Sequence, residues 1–391
     1  MIFRLRRKTP RIAVDTWALG SYARNHGIHV YAGKLLTYFR EMAESYGVEI
    51  MPFVSPCTDN DANRFAPAPG FSPRVTRLLK ADRQWRYGGA CAISALSGAD
   101  LVFSPHCTSF YFGQPSVITI HDLIPVLMPF GSRRAASRLQ TLLWTAAHFS
   151  RAIITDSQHS KEDIMRIYGV PESKISVIHL AYDKEFFNTG PNDAGHLSAT
   201  KTRLGITRPY VLHTGVIKPN KNLKRLIQAY RMVMGRRSDL EVDLVLVGSL
   251  GWEYDDVVAA ANDSTAPGRV VMAGPLRHED MITLLKGAHM VAMPSLYEGF
   301  CLPLLESMAC GVPTIASNAS CLPEISGGVL RYFDPSSVTE MADALEEALS
   351  SQELRTELST RGVQRAADFD WRKCAEQTLS LLARVAGKNG R

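Results

Sequence analysis

The chain has 391 residues and a formal net charge of +6, with 46% hydrophobic and 21% charged residues, the balance of a globular protein of two or three domains. No apolar run reaches the roughly 20 residues that a membrane-spanning helix needs. The seven cysteines are odd in number, scattered and without a CxxC pair, which argues against a disulfide framework or a zinc site and suits the reduced thiols of a cytoplasmic protein. The charge is uneven: residues 1–190 hold 22 Lys+Arg against 15 Asp+Glu, and residues 191–391 hold 22 against 23. The first half therefore faces an anionic partner. No helix-turn-helix, zinc finger or aromatic–basic pattern accompanies the charge, so nucleic acid is not expected.

The basic opening MIFRLRRKTP precedes only a short apolar run, RIAVD at 11–15, which reads as a first strand rather than part of a signal peptide. Helical periodicity follows at 30–45. The triplet Asp59, Asn60, Asp61 lies in a polar stretch with no strand after it; it reads as a solvated turn, and no essential metal is expected. Residues 72–88 begin with Ser72 and Pro73, suited to a helix N-cap and first turn. At roughly 100° per residue, Val75, Leu78, Leu79 and Trp85 gather opposite Arg77, Lys80 and Arg83. Such a helix either lies on an anionic membrane surface or packs its apolar face on its own domain. Short Val/Ile-rich runs then recur at 99–105, 115–122 and 151–157, with a helical pattern at 133–149 that opens on Arg133, Arg134 and Arg138. Strands alternating with helices predict a parallel sheet covered on both faces.

NTGPNDAGHLSAT at 188–200 lacks apolar periodicity and reads as a linker. The same pattern then restarts, with β-rich runs at 208–215, 242–248, 269–274, 290–295 and 312–317 and helices near 222–235, 340–349, 352–367 and 371–386. The expectation is two doubly wound Rossmann-like domains, 1–190 and 205–370, joined by a linker at 191–204, with the last helix (371–391) packing back on the first domain. Ligands of such sheets lie at the carboxyl ends of the strands, and the expected active site is the cleft between the domains.

PSLYEGFCLPLLESMACGVPTIAS at 294–317 carries the most chemistry. A strand ends at Met293, a loop follows, and a helix begins near Pro303 and stops at Gly311. The loop brings Gly299, Phe300, Cys301 and Leu302 to a helix start, whose free N–H groups and dipole favour a phosphate. Glu298 and Glu306 flank that point. Upstream, TGVIKPNKNL at 214–223 offers Gly215 for close ligand approach, and Lys221 as a point charge on a departing diphosphate. His121 ends a buried strand in TIHDLIP, either as a site residue or as a core histidine with a satisfied hydrogen bond. His106 follows another strand and is a candidate for the acceptor side, or else a loop histidine without function.

These segments resemble glycosyltransferase family 4, retaining enzymes of the GT-B fold. Glu298 and Glu306 stand seven residues apart, as in the family's EGFGLPxLEAMA-like stretch, with Cys301 where the pattern has Gly. The resemblance implies that Glu306 binds the ribose hydroxyls of a nucleotide-sugar, that Glu298 contacts the donor sugar, and that the 299–302 backbone lies near the diphosphate. The 214–223 segment is similar to the family's G-R-x-x-P-x-K-N loop; Val216 replaces the Arg, and Lys218 is the candidate second cation. HDL at 121–123 resembles members that transfer mannose or related hexoses, with His121 beside the sugar's reactive end and Asp122 orienting it or holding an amide. RNHGIHVYAGKLL at 24–36 resembles the GIGRY segment; Gly27 and Tyr31 match it on the acceptor side, and His29 replaces the second Gly. AGPLRHEDMITLLKGAHMVAMPS at 273–295 resembles the nucleobase side, which places the backbone about Leu276 on the base. The likeness is strong from 205 to 330 and weaker from 50 to 100. It implies a hexosyltransferase without cofactor that uses a nucleotide-sugar, GDP-mannose before UDP-hexoses. The acceptor is then a glycan or lipid-linked glycan, handled in the cytoplasm or at the inner face of the membrane. No residue is an evident covalent nucleophile, so same-face displacement assisted by the leaving phosphate is expected. The alternatives are an epimerase or phosphorylase of the same architecture, or a non-catalytic sugar-nucleotide binding subunit.

Overall fold

The computed structural model describes residues 9–16, 27–53, 98–107, 113–129 and 133–388. The Asp59–Asp61 triplet and the expected helix at 72–88 lie outside them. The chain forms two compact units, Met1–Leu180 with Trp371–Arg391, and Ala181–Asp370.

In the first unit, six strands form one parallel sheet: β1 (Arg11–Asp15), β2 (Glu49–Phe53), β3 (Leu101–Ser104), β4 (Ser116–Thr119), β5 (Ala152–Thr155) and β6 (Ile175–Val177), in the order β2-β1-β3-β4-β5-β6. Every residue of β3, β4 and β5 is buried, which is why their sequences are unbroken apolar runs rather than alternating ones. Helices α1 (Gly27–Met42), α2 (Ile124–Leu127), α3 (Arg133–Phe149) and α4 (Gln158–Tyr168) connect them. The last helix (Trp371–Lys388) packs on α1, β1 and β3 and belongs to this unit.

The second unit opens with a helix, α5 (Ala194–Leu204), where the sequence suggests a linker at 191–204. Asp193 caps it by accepting from the His196 amide at 2.9 Å. Buried Asp280 then holds it from outside: His196 Nε2 lies 2.7 Å and Arg203 3.0 Å from its carboxylate. Leu197 fits against Gly287, where a Cβ would come within 2.7 Å of its methyl groups. The helix is fixed mainly by caps and ion pairs, which apolar periodicity does not register.

Six strands follow, again all parallel: β7 (Tyr210–Thr214), β8 (Asp243–Val247), β9 (Val270–Gly274), β10 (Met290–Met293), β11 (Thr314–Ser317) and β12 (Arg331–Phe333), in the order β12-β11-β10-β7-β8-β9. Between them lie α6 (Leu223–Arg236), α7 (Asp255–Asn262), α8 (His278–Lys286), α9 (Leu302–Ala309) and α10 (Leu322–Ser326), then α11 (Val338–Ser350) and α12 (Gln352–Ala366). Residues Leu223, Leu226, Ile227, Tyr230, Val233 and Met234 of α6 recur at helical spacing and are buried in the core shared with α11. The chain runs from β7 outward to β8 and β9, then crosses to β10 on the other side of β7. The strand order therefore reverses between β7 and β10, and the loops after them diverge at one point.

Candidate active site

The loops after β7 and β10 are stitched to each other. Leu296 donates its amide to the Asn220 carbonyl at 2.7 Å, and the Asn220 side chain returns a bond to the Tyr297 carbonyl at 2.9 Å. Asn222 adds bonds to the Pro294 and Pro335 carbonyls at 3.1 and 2.8 Å. The β7 loop also lies against the end of β8, and only glycine permits it: a Cβ on Gly248 would sit 1.9 Å from the Gly215 carbonyl oxygen. Gly215 itself has φ 138.

This frame joins the two residues expected at the leaving group and the sugar. Lys221 Nζ lies 2.7 Å from Glu298 Oε1, and both side chains are more than nine-tenths buried. The Ser295 hydroxyl donates to the same oxygen at 2.6 Å. Ser320 fixes the Glu298 backbone, accepting from its amide at 3.1 Å and donating to its carbonyl at 2.7 Å. Burial works against both charges, but each ion stabilises the other: the Lys221 pKa is raised and the Glu298 pKa lowered, so both are ionised at neutral pH. Lys218 adds positive charge toward Glu298 and lies 5.2 Å over the Trp252 ring.

Helix α9 begins just beyond. Cys301 stands at its N-cap with φ 70, the left-handed region in which glycine is least strained, and among the described residues no side chain caps the helix. Pro303 has no N–H and the Leu304 amide already donates to the Cys301 carbonyl at 3.0 Å, so the amide presented to an anion at this helix start is that of Leu302. Gly299 and Phe300 are buried, Phe300 edge-on to Phe369 at 5.8 Å, and Leu302 is half-buried. Glu306 lies one turn into the helix. Among the described residues its carboxyl has no hydrogen-bond partner, and burial raises its pKa to about 7. Leu276 is half-buried in the loop between β9 and α8, at the same carboxyl edge of the sheet.

In the first unit, β4 runs to Thr119 and delivers His121. Its Nδ1 lies 2.6 Å from Asp156 Oδ2 and its Nε2 3.0 Å from the Pro105 carbonyl. Burial opposes the charged ring, but the Asp156 carboxylate outweighs it, and the His121 pKa is raised. Both ring nitrogens are thus engaged within the protein, where the resemblance places the ring beside the sugar. Tyr31 is fully buried, its hydroxyl 3.2 Å from Thr119 Oγ1 and its ring edge-on to His121 at 4.9 Å; it packs against the histidine and has no surface with which to touch an acceptor. His106 is likewise fully buried, 3.6 Å from Asp15. Asp122 accepts the Ile124 amide at 2.9 Å and so sets the start of α2. Gly27 is exposed at the beginning of α1.

The model for Glycosyltransferase Family 4 matches residues 14–186, and the model for Glycosyl transferases group 1 matches residues 199–365. The chain belongs to the family 4 glycosyltransferases. It is 28% identical to the O-antigen chain mannosyltransferase B of Escherichia coli over 70% of this chain and 72% of that one. To the serotype-specific mannosyltransferase WbdA of Escherichia coli it is 27% identical over 69% of its own length, and it spans about a third (33%) of that longer chain. HepE of Anabaena, solved in complex with UDP-glucose, shares the fold, with a TM-score of 0.68 and 19% identity over 96% of this chain and 99% of that one.

Three residues that frame the donor-side loops of this glycosyltransferase went unremarked in the sequence, as did Asp156, which holds His121 in the first unit. Ser295 and Ser320 hold Glu298 but sit in loops rich in small residues. Gly248 closes a β-rich run without a motif around it. Asp156 follows β5 within ITDS, and its place at a strand's carboxyl end was the available signal. Among the described residues no helix is long and apolar enough to cross a membrane.

Proposed function

We propose that this glycosyltransferase moves a hexose, with retention at the anomeric carbon, from a nucleoside-diphosphate sugar to a glycan or lipid-linked glycan, and that GDP-mannose is the first donor to test. The observation that carries the proposal is the buried Lys221–Glu298 pair beside the uncapped start of α9. A nucleoside diphosphate gains negative charge as it leaves, so Lys221 and the N-terminal end of α9 stabilise the transition state more than the bound donor. Glu298 accepts from hydroxyls of the sugar, and Glu306 accepts from those of the ribose. Lys221 and Ser295 already bond Glu298 Oε1, which suits it to holding the sugar better than to attacking it. Retention then comes from same-face displacement assisted by the leaving phosphate. His121, with both nitrogens engaged, contributes as a ring held in one orientation. Tyr31 and Asp156 hold its ring, and Gly27 is the acceptor-side residue. The similarity to the O-antigen mannosyltransferase supports mannose, and HepE's complex supports a nucleotide-sugar. The excess of basic residues in 1–190 supports an anionic, lipid-linked acceptor.

The test is release of nucleoside diphosphate from GDP-mannose and UDP-glucose, with and without acceptor glycan. Lys221→Ala should lower kcat by about 100-fold or more and weaken donor binding far less, because its charge matters most as the diphosphate leaves. A variant with raised KM and intact kcat would falsify the leaving-group role. Conversion of donor without acceptor would make the enzyme an epimerase.

A further inference from the structure

His213 stands on β7, two residues before Gly215, and has no part in the chemistry above. The side chain is wholly buried. Its Nδ1 lies 3.0 Å from the Ala292 carbonyl oxygen. A carbonyl only accepts, so Nδ1 carries the hydrogen. Burial, followed by the nearby Lys221 ammonium, lowers the pKa to about 4, and the ring is neutral with a lone pair on Nε2. Among the described residues that lone pair has no hydrogen-bond partner. A buried acceptor left unbonded is costly, and its persistence here requires a reason.

The space it faces is defined by Gly215. A Cβ on that glycine would lie 3.4 Å from Lys221 Cε and Nζ and 3.8 Å from His213 Nε2. Both nitrogens therefore border one small volume beside the glycine. Nε2 is sealed from solvent, so a bound sugar does not reach it, whereas the ammonium borders the same volume beside Gly215. Lys221 has three N–H groups, and Glu298 Oε1 takes one.

We propose that His213 is a positioning residue for Lys221, its Nε2 accepting an ammonium hydrogen when a bound donor draws Glu298 onto the sugar hydroxyls. The inference rests on the donor-site reading above. The acceptor has to be neutral. A second carboxylate would compete with the diphosphate for the cation, a protonated ring would repel it, and an aliphatic residue would let it follow Glu298. With Nε2 in place, the ammonium stays aimed at the departing phosphate at the moment when its partner turns away.

The test uses the full chain in the transfer assay with GDP-mannose and UDP-glucose. His213→Phe keeps the ring volume and removes the acceptor; His213→Gln keeps an acceptor near Nε2. His213→Phe should lower kcat by about tenfold or more with donor KM changed less than about threefold, and His213→Gln should recover most of the loss. A purely structural residue would change the melting temperature without that kcat–KM split or that rescue. Independently, in histidine-labelled wild type, long-range proton–nitrogen correlation should show an unprotonated Nε2 that shifts when GDP-mannose or UDP-glucose is added. Wild-type kcat in His213→Phe, equal impairment of both variants, or a protonated Nε2 at neutral pH overturns the proposal. Lys221→Ala, run alongside, separates the two ideas: if it is impaired and His213→Phe is not, only this inference falls, and if it is unimpaired, the donor-site reading falls.

Discussion

Among the described residues no cation is paired with Glu306, and burial raises its pKa to about 7. The ordinary value is 4.5, so the folded protein holds this proton more tightly than the unfolded chain does. The associated stability is complete below the ordinary value and is lost as pH rises through about 7. Ribose hydroxyls donate to a carboxylate, so nucleotide binding should ionise Glu306 and release a proton. Calorimetry with GDP and UDP should therefore find binding tighter at about pH 8 than at about pH 6, by up to roughly tenfold for a pKa change of one unit. The heat should also depend on the buffer's ionisation enthalpy. Glu306→Gln should abolish the buffer dependence and weaken binding; a flat affinity across that window in the wild type means the ribose lies elsewhere. The two glutamates were legible because the motif that holds them is contiguous, from strand end to helix stop. The bond from Glu298 to Lys221 was not, since it joins loops 77 positions apart in sequence. His213 looked like any residue of a buried strand.

The loops after β7 and β10 are tied by the Asn220 and Asn222 side chains, whereas the approach of the β7 loop to the end of β8 depends on backbone alone, at Gly248. Gly248→Ala would drive a methyl group into the Gly215 carbonyl, with backbone rather than a flexible side chain in the way. Gly274, at the end of β9, also has a positive φ (67), but nothing lies within 4 Å of its would-be Cβ. Gly274→Ala should cost only the left-handed strain, about 1–2 kcal/mol. Gly248→Ala should cost on the order of 3 kcal/mol or more and should also displace Lys221. Chemical denaturation of the two variants, with GDP binding measured on each, checks the contrast. Equal losses would mean that the β7–β8 approach is not tight. The parallel strands themselves were readable, because burial on both faces leaves long apolar runs. Helix α5 was not, because Asp193 and Asp280 hold it and polar anchors leave no periodic trace.

At the level of the whole chain, two similar half-chains do not make two sequential units. The closing helix (Trp371–Lys388) packs in the first unit, on α1, β1 and β3, and residues 181–370 are inserted ahead of it. A chain ending at residue 370 should therefore lose the first unit's stability selectively. Calorimetry should show one early transition that GDP or UDP does not shift and one later transition that they raise. A single unchanged transition would show that the helix is dispensable. The same insertion reverses the order of completion during synthesis. As the polypeptide leaves the ribosome, the half begun first still lacks its last helix, so the surface of α1 and the first strands stays uncovered while the second half closes on itself. The first unit must wait until residues 371–388 have been made, and in that interval its apolar strands are what a chaperone would hold or an aggregate would recruit.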